Sequence, residues 1–167
     1  MSGSGKSSLL RAGVLPSITR PGAVAGIDIW RICLFRPSEG ADPFESLAAG
    51  LLREGALPEL GCEHAALAQI CRDSSDRLMA LIRKAIAAAA TAQRSAASQV
   101  RLAVAIDQLE ELFTTGEEPA SHEALVRLLA ALAASGLVWV IATIRSDFFR
   151  RSSDRRFFGV EGWLGQL

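Results

Sequence analysis

Two periods of apolar residues run along this chain and divide it into alternating elements. "KSSLLRAGVLP" has helical spacing, and Pro16 is expected to stop that helix. "PGAVAG" carries turn residues. "DIWRICLFRP" is a short apolar run through Ile29, Trp30, Ile32, Cys33, Leu34 and Phe35, which predicts a strand. In "DPFESLAAGLLREG", Phe44, Leu47, Leu51 and Leu52 share one helical face, Asp42 and Pro43 suit the start, and Gly55 suits the end. Residues 65–72 predict another short helix. "SDRLMALIRKAIAAAATAQRSAAS" is rich in alanine, with an apolar stripe at Leu78, Leu81, Ile82 and Ile86. "VRLAVAID" and "LVWVIATI" are apolar almost throughout, as buried strands are. Between them, "QLEELF" predicts a helix or turn and "EEPASHEALVRLLAALAAS" a longer helix broken by Gly136. "RSDFFRRSSDRRFFGVEGWLGQL" predicts a short helix and an apolar end.

Strands that alternate with helices and are themselves apolar on both faces predict an α/β fold, with a parallel sheet covered on both sides. The length of 167 residues suits one domain with one core. No repeat period is visible, and the alanine run is the single low-complexity stretch. Acidic and basic residues balance at 18 each, so no whole-chain field draws the protein to nucleic acid or to an anionic membrane. The longest apolar run is too short to span a bilayer, and Lys6 and Arg11 interrupt the start, unlike a secretion signal. Cys33, Cys62 and Cys71 are odd in number and form no CxxC pair, which predicts free thiols and a reducing, cytoplasmic setting. Cys62, His64 and Cys71 lie near one another, but a closed zinc site needs a fourth ligand that the spacing does not offer.

The chemistry concentrates at three places. The first is "SGSGKSS" at residues 2–8. Glycines let a backbone curl around phosphates so that its N–H groups point at their oxygens. In that reading Gly3, Ser4, Gly5, Lys6, Ser7 and Ser8 bind phosphate, Lys6 reaches the outer phosphates, and the Ser7 hydroxyl ligates Mg²⁺. A helix starting near Lys6 adds its positive end. The full phosphate loop starts with a glycine five residues before the glycine of Gly-Lys-Ser, one position ahead of Met1. A flexible glycine-serine start is the alternative. The second place is Asp107, at the carboxyl end of an apolar strand about a hundred residues downstream, where a second Mg²⁺ ligand belongs. A helix cap is the alternative role. Glu110 and Glu111, a turn further on, are candidate general bases, or simply carboxylates at a helix start. The third is "IATIRSD": Thr143 can sense the outermost phosphate and Arg145 can stabilise charge on it, with a surface arginine ahead of an Asp147 cap as the alternative.

Taken together, "SGSGKSSLLRAGVLP", "VAIDQLEELF" and "IATIRSDF" resemble the STAND class of P-loop NTPases, and more closely its bacterial novel-STAND branch. "WRICLFRPSEGADPFESLAAGLL" is similar to the segment between that branch's first two motifs, so the resemblance covers nearly the whole chain. Leu109 stands where the branch usually has an aromatic residue, and Gln108 where many P-loop ATPases have a glutamate. The resemblance implies a three-layer αβα P-loop NTPase fold with a parallel sheet. It also implies binding and slow hydrolysis of ATP, or of GTP, with Mg²⁺, as a conformational switch in signalling or defence. Gly5, Lys6, Ser7 and Ser8 then fall on the phosphate loop, Asp107 on the Mg²⁺ position and Arg145 on the phosphate-sensing arginine. The fold's first strand has no counterpart in these residues, nor has any C-terminal repeat or effector domain. The expectation is therefore a single partial domain, 1–167, of a longer parent, with the edge of "LVWVIATI" unpaired.

Other readings stand beside this one. A remnant that serves as an interaction segment would bind nucleotide weakly or not at all. A small-molecule kinase would want a substrate-recognition acid and an arginine-bearing lid, and no clear set is visible. "RSDFFRRSSDRRFF" interleaves Arg150, Arg151, Arg155 and Arg156 with phenylalanines, as strand-gripping segments do. The same spacing also puts the phenylalanines in a core and the arginines in water, and no nucleic-acid partner is expected.

Overall fold

The computed structural model describes residues 4–94, 96, 99–114 and 119–146. Of the predicted closing segment, 145–167, all but Arg145 and Ser146 lies outside them, with its arginine-phenylalanine cluster and Asp147. The first helical stretch is α1 (Ser4–Ser8), a π-turn (Leu9–Val14) and α2 (Leu15–Thr19), which follow without a break. Then come β1 (Ile29–Phe35), α3 (Pro43–Leu51), α4 (His64–Asp73), α5 (Ser75–Ala92), β2 (Val100–Ile106), α6 (Pro119–Ala134) and β3 (Val138–Ala142). Short 3-10 turns occupy Pro37–Glu39, Pro58–Leu60 and Leu109–Phe113.

The three strands form one parallel sheet in the order β1-β2-β3, so the chain is α/β, as the strand pattern predicts. β2 lies in the centre with six of its seven residues buried, which is why it reads as an unbroken apolar run. Alternate side chains serve opposite faces. Cys33, Phe35, Leu102, Val104, Ile106 and Val138 meet the large core supplied by α3, α4, α5 and α6. On the other face Ile32, Leu34, Ala105 and Ile141 meet Leu10, Val14, Leu15 and Ile18 of the N-terminal helical stretch. Further along this second face Trp30 and Trp139 meet edge to face at 5.1 Å over Ala103, the neighbour of Trp139 on β2. Among the described residues the three layers are therefore unequal, with four helices on one face and a single helical stretch on the other. Of the sheet's two edges among the described residues, β1 has its Ile32 N–H covered by Gly55 O at 2.8 Å.

Local chemistry explains most element ends. Asp42 caps α3 by accepting from Phe44 N at 2.8 Å and Glu45 N at 3.0 Å, with Pro43 at the first helical position. Ser74 caps α5 through Arg77 N. Gly136 takes φ +70° beyond α6, a left-handed turn that suits glycine. Two expected ends are corrected. Pro16 does not stop the first helix, which runs on to Thr19. Its ring removes one N–H and crowds the carbonyl four residues back, and the turn ahead of it widens instead, with Leu15 N–H bonding to Leu10 O. Gly55 does not end α3, which stops at Leu51; Gly55 instead serves the loop that covers the β1 edge.

The three cysteines are free thiols. Burial pushes the Cys33 thiol far above its ordinary range and the Cys71 thiol up to about 12, so both are packing groups. Among the described residues no helix is long and apolar enough to cross a membrane.

Candidate phosphate and cation site at the strand ends

The parallel register aligns the strand ends. Phe35 neighbours Ile106, and Ile106 neighbours Ala142. The ladder continues one step further, with Asp107 N–H bonding to Phe35 O at 3.0 Å and Thr143 N–H to Ile106 O at 2.9 Å. Arg36, Asp107 and Thr143 are therefore the first residues past three aligned ends. Each keeps its strand's alternation, which places the three on the second face. That is the face covered by the N-terminal helix through Leu10 and Leu15. On that helix Ser7, Leu10, Arg11, Val14, Leu15 and Ile18 follow three- and four-residue spacing. The apolar members grip the sheet, and Ser7 and Arg11 are carried over the strand ends.

Asp107 is the centre of the cluster and is fully buried. Its Oδ1 accepts from the Ser7 hydroxyl at 2.8 Å and from the Thr143 hydroxyl at 3.1 Å. Its Oδ2 faces two guanidiniums, Arg11 at 3.4 Å and Arg36 at 3.5 Å. Burial alone would push the carboxyl up. The Ser7 and Thr143 hydrogen bonds and the charges of Arg36 and Arg11 outweigh it and hold the carboxyl below its ordinary value. Asp107 is thus an ionised acid inside the fold, and it does not cap a helix.

The next residue, Gln108, takes φ +62°, in the left-handed region, at a cost of about 1–2 kcal/mol for a residue with a Cβ. Thr143 holds that turn: its Oγ1 accepts from Gln108 N at 2.9 Å and its carbonyl from Leu109 N at 2.8 Å. One threonine thus fixes both the acid and the bend that sends Leu109 and Leu112 into the core. The expected helix or turn after Asp107 is the 3-10 turn Leu109–Phe113.

The remaining predicted residues divide between contact with this cluster and its rim. Ser4 and Gly5 are already helical, so the helix starts two residues ahead of the expected start near Lys6. Lys6 and Ser7 are half-buried and Ser8 is exposed. Gly3 lies outside the described residues. Glu110 is buried, and its Oε2 accepts from Arg145 N at 3.2 Å. Glu110 thereby clamps the segment after β3 to the turn after β2. Glu111 is half-buried and accepts from the exposed Ser38 hydroxyl at 2.6 Å, so it faces the loop after β1. Arg145 is exposed, and its backbone is the part that Glu110 holds. Sequence reasoning named Asp107, Ser7 and Thr143, which the fold brings together, but passed over Arg11 and Arg36. Two signals mark them: Arg36 continues the alternation of Ile32 and Leu34, and Arg11 lies one helical turn past Ser7.

A buried, ionised carboxylate thus lies beside the Ser7 hydroxyl on aligned parallel-strand ends, under a helix that carries Gly-Lys-Ser in its first turn. The family model of novel STAND NTPase 1 matches residues 1–160. The chain belongs to that family, which places it among the nucleotide-binding NTPases of the STAND class. No curated protein and no solved structure gives a match.

Proposed function

We propose that this chain binds a nucleoside triphosphate, ATP ahead of GTP, together with Mg²⁺, and hydrolyses it slowly as the switching module of a signalling or defence protein. The observation that carries this reading is the Ser7–Asp107 hydrogen bond at 2.8 Å, which joins residues a hundred positions apart directly beside Lys6. The donors fit the cation. Mg²⁺ prefers oxygen ligands and takes one or two carboxylates together with substrate phosphates, and Ser7 and Asp107 offer a hydroxyl and a buried carboxylate. When bound, Mg²⁺ would neutralise charge on the phosphate oxygens.

The chain's own groups divide the remaining work. Lys6 supplies a point charge to the outer phosphates, and backbone N–H groups at the start of α1 face the same anion. Thr143 holds Asp107 in place from the neighbouring strand end. Both candidate bases already accept a hydrogen bond, Glu110 from Arg145 N and Glu111 from Ser38, and this reading prefers Glu111 because it is half-buried where Glu110 is buried. Arg145, fixed through its backbone and exposed at its side chain, suits a group that reads the outermost phosphate. C-terminal repeat or effector domains of a longer parent are the partners this reading implies.

The test of the cation assignment is Asp107→Asn. The variant keeps an oxygen for Ser7 and Thr143 but removes the charge. Nucleotide affinity should be Mg²⁺-dependent in the wild type and largely indifferent to EDTA in the variant. Wild-type binding that EDTA leaves unchanged refutes the assignment.

A further inference from the structure

Both oxygens of Asp107 are engaged. Oδ1 receives two hydroxyls and Oδ2 faces two guanidiniums. These partners differ in kind. A hydroxyl oxygen has lone pairs, so Ser7 or Thr143 can turn and stay beside a cation. A guanidinium has donors only and a positive charge, so beside Oδ2 it competes with a metal ion for the carboxylate. Arg36 is also loosely held: its Nε lies 3.5 Å from Oδ2, yet it is buried without a hydrogen-bond acceptor. Its side chain as a whole is 36% exposed, which leaves room for the head to swing. Its backbone, by contrast, is fixed at the end of β1, in the same row as Asp107 and Thr143.

We infer that Arg36, assisted by Arg11, is the resident counter-charge of Asp107 in the nucleotide-free chain, which a divalent cation must displace, and that the displaced Arg36 guanidinium then pairs with the nucleotide's phosphates. The inference rests on the nucleotide-site reading above. It makes Arg36 a positioning residue that keeps a lone metal ion out and lets the metal-nucleotide pair in. Each group keeps an opposite charge beside it: the carboxylate exchanges an arginine for a metal ion, and the arginine exchanges a carboxylate for a phosphate.

The test uses the full chain with Mn²⁺ alone as a spectroscopic probe, followed by Mg-ATP. Arg36→Gln should bind Mn²⁺ without nucleotide on the order of tenfold more tightly than wild type, because one competing charge within ion-pair distance is gone. The same variant should bind Mg-ATP more weakly, by a similar factor. Arg36→Lys keeps the charge and should retain the wild-type Mn²⁺ affinity. Adding Asp107→Asn to Arg36→Gln should abolish the Mn²⁺ gain. Effects of opposite sign on Mn²⁺ and Mg-ATP are the signature, since damage to the fold weakens both. An Arg36→Gln chain whose Mn²⁺ affinity is unchanged or lower overturns the inference while the nucleotide site stands. A wild-type chain that binds no Mg-ATP removes the site and the inference with it.

Discussion

Gly50 sits where α3 crosses β1, and replacing it with alanine separates two opposing effects. A Cβ at this position would lie 2.9 Å from Cys33 Sγ, 3.3 Å from Phe35 Cβ and 3.5 Å from Leu34 O. The first contact is closer than carbon and sulfur allow, and Cys33 is fully buried with nowhere to retreat. The second atom is bound directly to the β1 backbone, so relief requires α3 to back away from the sheet. In an open helix, glycine to alanine would gain about 1 kcal/mol. Overpacking a well-filled core costs about 1–3 kcal/mol. The net expectation for Gly50→Ala is a loss of up to about 2 kcal/mol, or a fall in melting temperature of roughly 2–8 °C for a chain of this size. Urea denaturation followed by circular dichroism would measure it. Gly55→Ala is the matched control, since nothing lies within 4 Å of a Cβ there. Cys33→Ala combined with Gly50→Ala should recover part of the loss, because it removes the sulfur that the new methyl strikes. A Gly50→Ala chain as stable as wild type would refute this account of how α3 seats on β1. The position matters for the site because α3 also carries Ser46, which donates to Pro37 O at 2.9 Å and so secures the turn directly after Arg36.

Two further substitutions probe the cap of α3 and the strand-end row. Asp42→Ala removes the oxygen that accepts from two N–H groups and one of the carboxylate partners of Arg72, and should cost about 1–2 kcal/mol at neutral pH. Burial pushes the Asp42 carboxyl up, but Arg72 and the two N–H bonds outweigh it and leave the folded-state value depressed. The stabilisation is therefore complete above the unfolded carboxyl value of about 4 and fades as pH falls through the lower folded value. Denaturation at stepwise lower pH should show the wild type and variant converging on the acid side, and a constant gap would contradict it. Thr143→Val should cost about 1–3 kcal/mol, by leaving Gln108 N without its acceptor in a left-handed turn, and should raise the Asp107 carboxyl. Thr143→Ser should restore most of the loss, and a valine variant of wild-type stability would show that the Gln108 turn does not depend on this hydroxyl.

Periodicity carried far into this fold and stopped where backbone chemistry takes over. The apolar runs at 29–35, 100–106 and 138–142 locate the strands, but only β2 is buried almost throughout, and β3, expected as a buried strand, buries only Val138. The Asp42 cap was legible because its oxygen does a local job. Pro16 misled, because the cost of a proline can be met by widening the preceding turn, and no residue pattern announces that. The acid at Asp107 was legible from its place at a strand end, and Ser7 from the glycine-rich start. That the two touch depends on the face taken by the N-terminal helix, which Leu10 and Leu15 decide through packing. Arg36 and Arg11 stayed hidden for the same reason, since a basic residue past a strand or on a helix is ordinary until the register sets it beside a buried carboxylate. Glu110 and Glu111, equivalent as adjacent acids in the sequence, differ only once the 3-10 turn buries one and directs the other to Ser38.

The central claim is that the Gly-Lys-Ser start and the Asp107 row form one nucleotide site. Calorimetric titration of the chain with Mg-ATP and Mg-GTP, beside Lys6→Ala, tests it most directly. Binding by the wild type that Lys6→Ala abolishes is the predicted result. Equal affinity in the two chains, or no binding by a folded wild type, would contradict it.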